Sequence, residues 1–246
     1  MPARLFTLAF GLAAVIWGAY VVPLMGRQIS IERIASYIVE RESFNRDALL
    51  SILPAVASVE RDTYCRPVTT HSAAIIRLRL VEDAMAAGAR EDIDDRMDTL
   101  QQAIRNSLAC SAADPFLWTV LAWLDGIRNG YRPEQLAFLR LSYRLGPNEG
   151  WVAARRNSLA LSIFDRLPPD LANAAVGEFG RMVHSWIYWD TIAIFTGPGW
   201  PIRDRLLASL GEVGQRQREA FSQALYAQGY DIAVPGIAPR DPRPWH

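Results

Sequence analysis

Residues 5–25, LFTLAFGLAAVIWGAYVVPLM, carry no charged side chain. A helix needs roughly 20 predominantly apolar residues to cross a bilayer. The stretch therefore leaves three readings: an uncleaved membrane anchor, a cleaved signal peptide, or a buried core helix. A signal peptide ends its short apolar core with small residues at the cut. A cut after Ala19 would leave Trp17 at the critical position, and a cut after Gly26 would leave Leu24 there. An uncleaved, single-pass anchor over 1–27 is thus the expected form, with Pro23 close to its end, where a kink or stop is cheap. Basic residues flank both sides, Arg4 before and Arg27 and Arg33 after, and the small excess leans toward a cytoplasmic C-terminal side.

The two cysteines argue for the other orientation. Residues 68–87 read as one amphipathic helix ended by Gly88. Residues 93–109 read as its return. Cys65 precedes the first helix and Cys110 follows the second, so an antiparallel hairpin brings both cysteines to the same end. A disulfide needs Cα atoms about 4.4–6.8 Å apart, which that arrangement allows. Disulfides persist in oxidising compartments such as the periplasm. Two buried, unpaired thiols remain the alternative.

The rest of the chain reads as all-α, with almost no strand signal. Apolar positions at helical spacing run through 29–42 (Ile31, Ile34, Ala35, Ile38), either continuing the anchor helix or following a break at Gly26. Ser43 or Asn45 can cap a helix over 47–60 that Pro54 kinks or splits. Asp114-Pro115 opens a helix through Ile127. A turn at 129–133 follows, and then a helix over 134–145. Trp151 to Phe164, 171–186 (capped by Asp170), 187–195, 202–213 and 215–228 follow as further helices. The expected organisation is an anchor over 1–27, a helical domain over 28–230 and a Pro-rich tail over 231–246, docked or free.

Chemistry is sparse. Net charge is zero, which removes any global electrostatic case for nucleic acid. All 26 basic residues are arginine. No Walker loop, dinucleotide-binding glycine pattern, metalloprotease motif or nucleophile elbow is present. His71, His184 and His246 are isolated, and with two cysteines they make a metal site improbable. No cofactor and no catalytic residue is assigned, and the chain is expected not to be an enzyme. The sharpest candidate surface is 147–157. Asn148 or Glu149 is placed to cap a helix there, Trp151 offers an aromatic face, and Arg155 and Arg156 follow one turn on. Aromatic plus arginine suits a sugar ring or an acidic polysaccharide. The competing reading packs Trp151 between helices and pairs one arginine with a neighbouring acid. Glu149 and Asp125 as a glycan-cleaving carboxylate pair is a remoter option, because nothing in the sequence fixes their geometry.

Trp118 and Trp151, each opening a helix, stand 33 residues apart with a helix–turn–helix between them. Residues 98–151 resemble degenerate tetratricopeptide repeats. Ala103 and Pro115 match the family's small residue and closing proline. Trp118, Leu121 and Ala122 match its opening Trp, Leu and Gly, with Ala replacing Gly. Ser142 and Pro147 match the later small residue and proline. The hairpin over 68–109 is longer than a standard repeat, and the loop after Trp118 carries one extra residue. The resemblance implies stacked helices with a partner-binding face, and no catalysis. Across the whole chain, the anchor, the Cys-bounded hairpin, LSYRLGPNEGW, the tandem arginines, GPGWPIRDRLLASL and the Pro-rich end resemble small bacterial membrane-anchored proteins associated with exopolysaccharide synthesis or export. That resemblance implies a setting in exopolysaccharide synthesis or export and no defined activity. The anchor, the cysteine pair, the repeat and the missing catalytic constellation together lead to the expectation of a single-pass inner-membrane protein with a periplasmic domain, acting as a non-enzymatic scaffold or accessory protein with protein partners in an envelope assembly. A periplasmic glycan-binding or glycan-modifying protein is the alternative, and a cytoplasm-facing adaptor a third.

Overall fold

The computed structural model describes residues 2–40, 46–88 and 92–238, and among these every regular element is helical. The chain divides into two compact units, Met1–Ala112 and Ala113–His246. The division falls inside the repeat-like stretch 98–151.

Unit 1 begins with α1, Pro2–Val39, a helix of 38 residues that runs through Gly26 without a break. Its two halves differ in kind. In the C-terminal half Ile31 and Ala35 are buried, with Ile34 and Ile38 packed beside them. That is the i, i+3, i+4, i+7 stripe of a helix lying on a core. The stripe packs with α2, Arg46–Glu60, and α3, Pro67–Ala86, around Leu49, Val56, Ala73, Ile76 and Leu80. Pro54 stays inside α2 without dividing it. In the N-terminal half Phe6, Phe10, Leu12, Val15, Ile16, Trp17 and Val22 are all exposed. The expectation of a membrane-crossing helix over 5–25 is nevertheless not supported: among the described residues, no helix is long and apolar enough to cross a membrane. The side chains of Leu5, Leu8, Tyr20, Pro23 and Leu24 lie outside that description, as do those of Arg4 and Arg27 and the capping candidates Ser43 and Asn45.

α3 and its return, α4 (Ile93–Cys110), form the expected hairpin. Gly88 ends the first arm at φ +65, a conformation that a side chain strains. A Cys65–Cys110 disulfide closes the open end, with Cα atoms 5.3 Å apart. Arg77 on α3 grips Glu60 of α2 with two hydrogen bonds, Nε at 3.0 Å and Nη2 at 2.8 Å. Thr69 Oγ1 donates to Glu32 of α1 at 2.7 Å.

Unit 2 continues as helix pairs: α5 (Pro115–Asn129) with α6 (Pro133–Leu145), then α7 (Gly150–Ser162) with α8 (Pro169–His184). Asp114 caps α5 through its carboxylate, which accepts from the Leu117 N–H at 3.0 Å. A 3-10 turn, Phe164–Arg166, follows α7. Asp170 does not cap α8. It lies within the first turn, where Pro168 holds the cap position, and its carboxylate binds Arg140 of α6 instead. α9 (Tyr188–Thr196), α10 (Arg203–Ser209) and α11 (Gln215–Ala227) complete the unit. Its centre is a cluster of rings from three helices, Phe179, Phe195 and Phe221, with centroids 5.8–6.0 Å apart. No strand forms at 231–234. The described part of the tail is docked: Val234 is buried and Arg218 Nη1 donates to the Pro235 carbonyl at 2.6 Å. The tail beyond residue 238 lies outside the described residues.

Candidate functional site

The candidate segment 147–157 occupies the turn into α7. Gly146 opens it because α5 leaves no room for a side chain: a Cβ there would lie 2.5 Å from Cγ of Pro115. Glu149 holds the cap position by its backbone, whose carbonyl accepts from Ala153 N–H at 2.8 Å. Neither Asn148 nor Glu149 caps with its side chain, contrary to expectation. Trp151 lays its ring against Phe116 of α5, with centroids 4.8 Å apart, and remains 42 % exposed. Trp151 thus packs on a neighbouring helix, as the competing reading expects, and stays partly exposed.

The tandem arginines separate. Arg155 faces outward. Arg156 is 0 % exposed and cannot serve a surface site. Its Nη1 donates to the Ser142 carbonyl at 2.7 Å and to Ser142 Oγ at 2.9 Å. Nη2 donates to the Gly146 carbonyl at 2.9 Å and to Glu178 Oε1, and Nε reaches the same oxygen at 3.0 Å. The guanidinium also lies over the Tyr143 ring, 4.3 Å from its centroid. Ser142 Oγ continues the network to the Pro115 carbonyl at 2.7 Å and to Thr119 Oγ1. One cation thus ties the end of α6 and the start of α5 to α7 and α8.

Burial pushes the Glu178 carboxyl upward while Arg156 pulls it back, and burial drives the Tyr143 phenol well up. Charge buried without its partner is costly, so this constellation is a structural clamp. A sequence signal for it existed: Val152 and Ala160, four residues either side of Arg156, are both fully buried. Asp125, the remote partner considered for Glu149, is buried on α5 while Glu149 is exposed.

By sequence, His184 and Tyr188 stand four apart with Trp186 and Trp189 nearby, a group that could line a pocket or pack as a helix end. Trp186, between α8 and α9, adopts φ +63, alone among the described non-glycine residues in having a positive φ. Its indole is 55 % exposed and meets Tyr188 edge-on at 5.4 Å. Trp189, in the first turn of α9, is 78 % exposed. This turn abuts the candidate segment: a Cβ on Gly150 would lie 2.8 Å from Cδ1 of Ile187.

Two pockets were also not legible in the sequence. In unit 1 a cavity of about 350 Å³ lies against the disulfide, edged by Glu60, Asp62, Thr70 and Asn106. In unit 2 a cleft of about 560 Å³ lies between the 164–166 turn and Pro198, Pro201 and Ile202, with Asp165 and Arg166 beside it. Among the described residues, no group of three or more His, Cys, Asp or Glu side chains could hold a metal ion. No protein-family model matches the chain, and no curated protein or solved structure matches it either.

Proposed function

We propose that the protein is a membrane-tethered, non-enzymatic adaptor of the bacterial envelope, held by the N-terminal half of α1 and carrying its helical hairpins outside the cytoplasm. The observation that carries this reading is the bare half of α1. At 100° per residue, Phe6, Phe10, Leu12, Val15, Ile16, Trp17, Val22 and Met25 are spread around the circumference, and all are exposed. A helix apolar on every side belongs in a protein core or a bilayer. Among the described residues, unit 1 builds no core around this half. The complete stretch 5–25 is free of charge and has the length a bilayer requires.

The disulfide supports an oxidising compartment for the remainder of unit 1. The tetratricopeptide-like pattern over 98–151 supports partner binding by stacked helices. The setting of exopolysaccharide synthesis or export rests on the whole-chain resemblance alone.

Alkaline carbonate extraction of membranes tests the tether. The wild-type chain is expected to stay with the membrane. Leu12→Arg with Ile16→Arg, each costing about 2.5–3.5 kcal/mol at a helix centre, should release it. Extraction of the wild type would overturn the reading. Purification in mild detergent tests the adaptor role: a stoichiometric envelope partner is expected, and a chain that consistently elutes alone contradicts it.

A further inference from the structure

We infer that the α2–α3 linker of unit 1 (residues 61–66) and the first turn of α3 rest, through Tyr64 and Val68, in the phospholipid headgroup layer of the bilayer that α1 enters. This contact presupposes the α1 tether and adds a second attachment of unit 1 to the same membrane.

The linker is held at a defined level on α1. The Gln28 amide, turned so that its oxygen faces the linker, accepts from Arg66 Nε at 3.2 Å. Three residues on, Thr69 Oγ1 donates to Glu32 at 2.7 Å. The linker and the start of α3 therefore lie beside residues 28–32 of α1. At 1.5 Å per residue, the uncharged stretch 5–25 spans about 30 Å, the thickness of the hydrocarbon core. Residues 28–32 then stand about 5–10 Å beyond its end, where the headgroups lie.

The exposure of apolar side chains marks the same level. Among the described residues of unit 1 beyond Met25, three large apolar side chains are more than half exposed: Ile29, Tyr64 at 73 % and Val68 at 64 %. Ile29 follows Gln28 on α1, and Tyr64 and Val68 bracket Arg66. No other exceeds 40 %, including Met85 at the far end of α3. The linker is also firmly placed. The Cys65–Cys110 disulfide pins it to α4, and the Asp62 carboxylate accepts from Tyr64 N–H at 3.2 Å. Tyrosine, with an apolar ring and a polar hydroxyl, is enriched at membrane–water boundaries.

Charge and area favour lipid over protein as the occupant. Arg61 is exposed, and Arg66 lies 3.4 Å from Asp62. Glu60, at the end of α2, is held by Arg77. Arg61 and Arg66 against Asp62 leave one net positive charge, which suits lipid phosphates. A stable protein interface needs about 800 Å² from each partner, far more than one tyrosine and one valine supply. A headgroup layer needs no such area, because α1 already holds the linker at its surface.

Photocrosslinking in proteoliposomes of phosphatidylethanolamine and phosphatidylglycerol tests this contact. Benzoylphenylalanine replaces Tyr64, Val68, Leu12 or Met85, one position per full-length chain, all of them exposed sites. Illumination is expected to add the mass of one phospholipid at Tyr64, Val68 or both, and at Leu12 in the tether. No lipid adduct is expected at Met85, about 26 Å along α3 from Val68. An adduct at Leu12 but at neither Tyr64 nor Val68 overturns the headgroup contact and leaves the tether standing. An adduct at Met85 as abundant as that at Tyr64 also overturns it, because lipid would then touch unit 1 without preference. Absence of every adduct, at Leu12 included, overturns the tether and with it the contact that depends on it. Crosslinks from Tyr64 and Val68 to protein alone assign the linker to a partner chain and overturn the lipid contact.

Discussion

At the scale of single residues, the main polar feature of unit 2 is the Arg156–Glu178 pair. Both side chains are buried, and the guanidinium spends its donors on Glu178 and on the Ser142 and Gly146 carbonyls. Glu178→Ala would leave a buried cation without its counter-charge. Urea unfolding is expected to show a loss of about 3–5 kcal/mol. A loss below about 1 kcal/mol would mean that water or another acid replaces Glu178. Arg155→Ala, one position away and facing solvent, should change stability by less than about 0.5 kcal/mol. The sequence presented these two arginines as equals. Their separation was legible only from helical phase, since positions 152, 156 and 160 share the inward face of α7. The acceptor, Glu178, lies 22 residues further on, and no local rule pairs it with Arg156. Trp186 was harder still, because nothing in His-Ser-Trp-Ile marks a left-handed residue.

At the scale of elements, local rules were sufficient where the ends were marked. The hairpin expected over 68–87 and 93–109 is found at Pro67–Ala86 and Ile93–Cys110, because Pro67 and Gly88 punctuate its first arm and the apolar period of the second is helical; the first arm is not amphipathic as expected but buried on all sides through its middle. Local rules failed where two residues competed for one role. Asp170 follows two prolines and looks like a cap, yet Pro168 fills that position and Asp170 reaches Arg140 across to α6. The disulfide closes a loop of 45 residues, for which chain entropy gives about 4 kcal/mol. Replacing both cysteines with serine should therefore raise amide exchange across α3 and α4 by two to three orders of magnitude. Unchanged protection there would show that hairpin packing alone sets its stability. Gly146 joins α6 to α7 under Pro115. Gly146→Ala forces a Cβ within 2.5 Å of that ring and should lower stability by about 1–3 kcal/mol in thermal unfolding.

At the scale of the whole molecule, the two halves of α1 differ in exposure. Its C-terminal half is an ordinary amphipathic core helix, and its N-terminal half exposes apolar side chains on every side. The uncharged stretch was the plainest feature of the sequence. The division of the remainder at residue 112 was not, because the short turn at 111–114 between α4 and α5 reads like the other turns between paired helices. Lipid cover over the bare half is the central claim, and Trp17 is its natural reporter, 70 % exposed within that half. The direct measurement is tryptophan quenching by lipids brominated deep in the acyl chains, in proteoliposomes of the full chain and of Trp17→Phe. Strong quenching in the wild type that is mostly lost in Trp17→Phe is the expected result. Quenching that is absent, or that survives the substitution intact, would contradict the tether and leave the bare half of α1 to be covered by protein.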